Sequence, residues 1–232
     1  GIHMAVEQVM AITGRPLLDE EENLILPATA EGAGVDIFVA TSSAGPTVRA
    51  VLVGLMPGVS LESARRLAGS TYLQVLDEIS LMDRRKEEEQ IDLILRARPD
   101  LLLMVGGTDG GATTSVLRMV EMVRLAAGLF PERERPHLVY AGNRTLAAEV
   151  MEQFENHQSV ALVPNIRPSL PEEDLAPARL RLSEAISELR SRRITGFDEL
   201  KQWSGGYLML TVDAFGRVVR YLSQVYDPDK GV

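Results

Sequence analysis

The sequence predicts an α/β fold, a mostly parallel sheet of repeated βα units with a C-terminal helical segment. Three observations carry that prediction. A short β-branched apolar run, a polar loop and a helix-spaced segment recur at intervals of roughly 25–35 residues. Leu101-Leu102-Leu103-Met104-Val105 is apolar without alternation, which suits a strand covered on both faces. Beyond residue 165 the apolar residues fall at helical spacing among charges.

Val6 to Ile12 reads as the end of a helix that Gly14-Arg15-Pro16 stops, and Asp19-Glu20-Glu21-Glu22 as a solvated acidic loop. Val35 to Ala40 is the first strand-like run and opens into Thr41-Ser42-Ser43-Ala44-Gly45-Pro46. Val48 to Leu55 is the second, ended by Met56-Pro57-Gly58. Ser60 suits the N-cap of a helix over Leu61 to Leu67, with Glu62 in its first turn. Tyr72 to Ile79 reads as a strand, and Lys86 to Arg96 as a charged helix closed by Pro99.

Leu101 to Val105 feeds Gly106-Gly107-Thr108-Asp109-Gly110-Gly111 and a helix from about Thr113 to Leu129. His137 to Ala141 is a strand ending in Gly142-Asn143, followed by a helix over Leu146 to Phe154. Ser159 to Val163 is the last strand and ends in Pro164-Asn165. Pro177 starts a helix whose apolar residues run from Leu180 to Leu189, Phe197 to Trp203 forms another, and Val218, Val219, Leu222 and Val225 mark a third that begins at Asp213. Residues 1–4 read as a cloning scar, residues 5–165 as the α/β domain, and residues 166–232 as a helical segment packing on it.

At 232 residues the chain is long enough to bury a large core. Its net charge of −9 argues against a nucleic-acid or anionic-membrane partner, and no apolar run is long enough to span a bilayer. The absence of cysteine removes thiolate nucleophiles and thiolate metal sites, and fits a cytoplasmic protein. Outside the scar only His137 and His157 remain, a thin basis for a zinc site or a catalytic triad.

Candidate ligand-binding residues lie in the loops that close the strands. In Gly106-Gly107-Thr108-Asp109-Gly110-Gly111 the glycines allow close backbone approach, and a helix N-terminus follows. The same loop reads equally as a tight strand-to-helix turn with Asp109 capping the helix, and it matches neither the dinucleotide fingerprint nor the Walker pattern. Thr41, Ser42, Ser43 and Gly45 form a hydroxyl-bearing loop that also reads as backbone-satisfying turn chemistry. Asn143 and Asn165 close two later strands. Right-handed crossovers bring such loops to one edge of the sheet, where α/β folds bind ligands.

These loops resemble those of the glutamate mutase L family, which belongs to the actin-like, sugar-kinase and Hsp70-type ATPase superfamily. The match is carried by Ala40-Thr41-Ser42-Ser43-Ala44-Gly45, Val53-Gly54-Leu55, Leu102 to Gly111, Val139 to Asn143, Asn165-Ile166-Arg167-Pro168 and Pro177-Ala178-Arg179. The resemblance implies an accessory protein that reactivates or assembles an adenosylcobalamin-dependent mutase. It also implies ATP and magnesium in the full-length protein, held by two Asp-x-Gly phosphate loops that this chain does not carry. The expectation is therefore an internal segment of a longer polypeptide, with no cofactor of its own, no metal and no hydrolysis alone. Its partner is expected to be a mutase subunit or a second copy. The alternative is an interaction or oligomerisation module without nucleotide binding. An enzyme pairing Asp109 with a second carboxylate for acid/base work ranks behind both.

Overall fold

The computed structural model describes residues 1–43, 47–155, 160–191, 196–206 and 208–226. In chain order the elements are α1 (Ile2–Thr13), β1 (Thr41–Ser42), β2 (Arg49–Gly54), α2 (Ser60–Ser70), β3 (Gln74–Ser80), α3 (Glu87–Ala97), β4 (Leu101–Gly106), α4 (Thr113–Gly128), β5 (His137–Gly142), α5 (Ala147–Gln153), β6 (Val160–Leu162), α6 (Ala176–Ser191), α7 (Phe197–Trp203), β7 (Met209–Leu210) and α8 (Thr211–Tyr226). They divide into two compact units, Gly1–Gly45 with Arg190–Val232, and Pro46–Leu189.

The second unit is built on a five-stranded parallel sheet in the order β3-β2-β4-β5-β6. Its strands are too apolar to face water on either side, so helices cover both faces. Leu61, Ala64 and Leu67 of α2 and Ala178, Leu182 and Ile186 of α6 pack with Leu52, Leu101, Leu103 and Val139 on one face. Ile94 of α3, Val120 and Val123 of α4 and Val150 of α5 pack with Val53, Leu102, Met104 and Tyr140 on the other. Alternate residues of β4 thus feed different layers, and every one is buried. This is why the sequence of β4 carries no polar alternation.

Spatial order and chain order diverge at one place. From β2 the chain steps out to β3, returns past β2 to β4, and then continues through β5 to β6. Right-handed crossovers in opposite directions put α2 and α3 on opposite faces. A crevice is left outside the carboxyl ends of β2 and β4, the position at which open α/β sheets place ligands.

In the first unit, α1 stops at Gly14, whose φ is 66° and whose N–H donates to the Met10 carbonyl at 2.8 Å. β1 and β7 pair in parallel, Thr41 opposite Met209 and Ser42 opposite Leu210. Trp203 is buried on α7 and takes the rings of His3 and Phe38 edge-on, at centroid distances of 5.3 and 5.8 Å.

Several sequence expectations are corrected. Val35 to Ala40 is not a strand: only Thr41–Ser42 enters a ladder, and Ile37 and Val39 are each 78% exposed, because no strand lies alongside them among the described residues. Ser60 is the first residue of α2 rather than its N-cap, and its hydroxyl closes the preceding turn by accepting the Met56 N–H at 2.9 Å. Residues 2–4 lie in α1, where His3 reaches the Glu199 carboxylate at 2.7 Å. Residue 165 lies inside the second unit, where α6 seals one face of the sheet. The segment beyond it is not all helical, since β7 hands directly into α8, which starts at Thr211 rather than at Asp213. His157 lies outside the described residues.

Candidate functional site

The site lies where the loops after β2, β4, β5 and β6 meet in the second unit. Gly106 and Gly107 leave β4 with φ of 118° and 76°, which turns the chain sharply across the sheet edge. A Cβ on Gly107 would sit 3.0 Å from Val116 Cγ2 and 3.1 Å from Asn143 Cβ, so side chains from α4 and the next loop already occupy that space.

Asn143 and Asn165 tie the glycine loop down. The Asn143 side chain is fully buried; its Oδ1 accepts the Gly110 N–H at 3.0 Å and its Nδ2 donates to the Gly111 carbonyl at 2.7 Å. The same Oδ1 accepts from the Thr145 N–H and hydroxyl at 3.0 and 2.8 Å. Asn165 Nδ2 donates to the Gly107 carbonyl at 3.1 Å and to Asp109 Oδ1 at 2.9 Å. The Asp109 N–H donates to the Pro168 carbonyl at 2.9 Å, and Asp109 Oδ1 accepts the Arg144 N–H at 2.9 Å. Three βα loops are therefore one hydrogen-bonded crest.

Asp109 does not cap α4, whose N-cap is Ala112 with no side-chain cap. Its carboxylate serves the neighbouring loops instead. Burial pushes its pKa up, but the Asn165 amide, the Arg144 N–H and the Arg144 charge outweigh burial and hold it below the usual carboxylate range. Tyr140 packs under the crest and donates to the Asn143 carbonyl at 3.0 Å. Burial first, then the Asp109 charge, raises the Tyr140 pKa.

A groove of about 160 Å³ opens beside the crest at the switch point. Leu55, Met56 and Val59 line it from the β2 side, Gly107 and Thr108 from the β4 side, and Arg167 from the loop after β6. Arg167 is fixed by three bonds: Nη1 to the Leu170 carbonyl at 2.7 Å, Nε to Ser63 Oγ at 3.1 Å and Nη2 to Glu173 Oε1 at 3.4 Å. The Ser63 hydroxyl donates to Glu173 at 2.5 Å and Arg66 Nη1 donates at 2.8 Å. The Ser63 hydroxyl, with Arg66 and Arg167 behind it, keeps Glu173 below its usual range against the opposing push of burial.

The structure thus brings Gly106, Gly107, Thr108, Asp109, Gly110, Gly111, Asn143 and Asn165 together. Asn143 and Asn165 hold loops rather than presenting free amides. Thr41, Ser42 and Ser43 belong to the first unit, where Thr41 Oγ1 accepts the Thr211 hydroxyl at 3.1 Å; Gly45 lies outside the described residues. Arg167, Ser63 and the residues following β2 were not among the sequence-predicted set, because their role depends on which strands are neighbours. Among the described residues no group of His, Cys, Asp and Glu is arranged to hold a metal, and no helix is long and apolar enough to cross a membrane.

A profile described as MutL protein matches residues 1–232 of the chain. Protein MutL of Clostridium tetanomorphum is 28% identical over 198 residues, which cover 84% of this chain and 40% of the relative. The chain thus spans less than half the length of that relative.

Proposed function

Since the chain belongs to the MutL protein family, that of glutamate mutase L, we propose that it serves an adenosylcobalamin-dependent mutase as part of an accessory protein for reactivation or assembly. On this reading the longer protein has an actin-like ATPase fold, and the crest of the second unit faces a ligand or the mutase subunit. The observation that carries the reading is the crest itself. Three loops are locked by Asn143, Asn165 and Asp109 beside the switch point of a doubly wound sheet, a pre-ordered surface of the kind that recognition uses.

The groove beside the crest, at roughly 160 Å³, is smaller than the ~300 Å³ at which ligand pockets begin, and on the crest Asp109 is engaged with Arg144 and Asn165. No nucleotide step is assigned to this unit. Those two facts favour the second reading, an interaction module without nucleotide binding of its own.

Titration of the full-length polypeptide with the mutase subunit tests the proposal. Asp109→Ala is expected to weaken association at least tenfold while far-UV circular dichroism is unchanged. Association equal to wild type, with the crest disrupted, would remove the crest from the interface. Calorimetry with magnesium ATP on this chain is expected to give no binding heat and no phosphate release.

A further inference from the structure

The first unit buries few apolar side chains among its described residues. Among its described residues the buried large apolar side chains are Leu17, Phe197 and Trp203. Against these, Ile12 is 85% exposed, Ile37 and Val39 78%, Phe215 70% and Tyr221 63%. Isolated exposed apolar residues are ordinary, but here they fall in two ordered arrays. Phe215, Val218, Leu222 and Val225 on α8 follow the 3-4-3 spacing of a helix face prepared for packing, and Phe215, Val218 and Val225 are more than half exposed.

The second array is Val35-Asp36-Ile37-Phe38-Val39-Ala40, which runs directly into β1. Its side chains alternate as a strand requires: Phe38 turns in against Trp203, while Ile37 and Val39 point to solvent. Yet no backbone hydrogen bond is made by residues 36–40 among the described residues, and the β1–β7 ladder covers only Thr41 and Ser42. A sheet of two two-residue strands is not stable alone, and an unpaired apolar strand edge is a hazard that folded proteins cover.

We propose that residues 35–42 form a full strand in the longer family polypeptide, paired with a β-strand from the part of that polypeptide outside this chain. The backbone groups of residues 36–40, which pair with no backbone group among the described residues, call for an extended backbone partner rather than a helix, and Ile37 and Val39 call for apolar cover on one face. The relative has more than half its length outside the match, ample for such a strand. This inference does not rest on the role assigned to the crest.

Hydrogen exchange compares this chain with the full-length polypeptide. Amides of residues 36–40 are expected to exchange at least 100-fold more slowly in the full-length protein, while those of β4 are protected in both. Ile37→Lys is expected to abolish the added protection and leave β4 unchanged. Equal exchange of residues 36–40 in both proteins overturns the proposal. So does protection gained by this chain alone at concentrations where light scattering reports a dimer, which would make the occupant a second copy. Protection that appears in the full-length protein only on adding the mutase subunit overturns it as well.

Discussion

The side chain of Asn165 donates to the carboxylate of Asp109 at 2.9 Å, a bond that joins the loop after β6 to the loop after β4 across 56 residues of sequence. Around it the crest is assembled, and its energetics can be tested one group at a time.

The Asp109 carboxylate should make stability depend on pH. Its pKa is held below that of an unfolded aspartate, about 3.9, so the native chain binds the proton less readily than the unfolded one. The stabilisation is present above the unfolded value and is lost as pH falls through the folded one. Urea unfolding of wild type and Asp109→Asn should differ most near neutral pH and converge in acid. A constant difference at all pH values would show that the charge is immaterial.

Asn143→Ala should cost about 2–4 kcal/mol, because it leaves the Gly110 N–H and Gly111 carbonyl without their partner inside a packed loop. The midpoint of chemical unfolding reports this directly. A loss near zero would mean that water replaces the amide without penalty.

Two glycines should respond in opposite directions. A Cβ on Gly142 would lie 2.5 Å from the Gly106 carbonyl oxygen, so Gly142→Ala should destabilise by about 1–3 kcal/mol through forced separation of β4 and β5. Gly128, at the end of α4, has nothing within 4 Å of that position, and Gly128→Ala should stabilise by about 0.5–1 kcal/mol. Thermal unfolding of the pair checks both signs.

Tyr140 should ionise well above the range of a free phenol. Its folded pKa is raised, so the stabilisation from the neutral phenol is full below about pH 10, the unfolded value, and is lost as pH rises beyond it. Ultraviolet titration should show a late step coincident with unfolding, absent in Tyr140→Phe.

Local and periodic features were legible in the sequence, and those that depend on neighbours were not. The α7 helix spans Phe197–Trp203 as its apolar ends and charged middle indicate, and the unbroken apolar run of β4 announces a sheet covered on both faces. Val35 to Ala40 has the composition of a strand, but a strand also requires a partner, which composition cannot supply. Strand ends marked the glycine loop, Asn143 and Asn165. That Asp109 would answer Arg144 and Asn165 rather than cap α4 followed only from the order of strands in space. Arg167 and Ser63, 104 residues apart, meet for the same reason: α2 and the loop after β6 lie on one face of the sheet.

We propose that the crest beside the β2–β4 switch point is the face turned to the mutase subunit. Hydrogen-exchange footprinting of the full-length polypeptide, with and without the mutase subunit, tests it most directly. Added protection is expected in Gly106–Gly111 and in Asn143–Leu146, with exchange of α3 unchanged. Protection confined to other surfaces, with the crest exchanging at the same rate in both states, would contradict it.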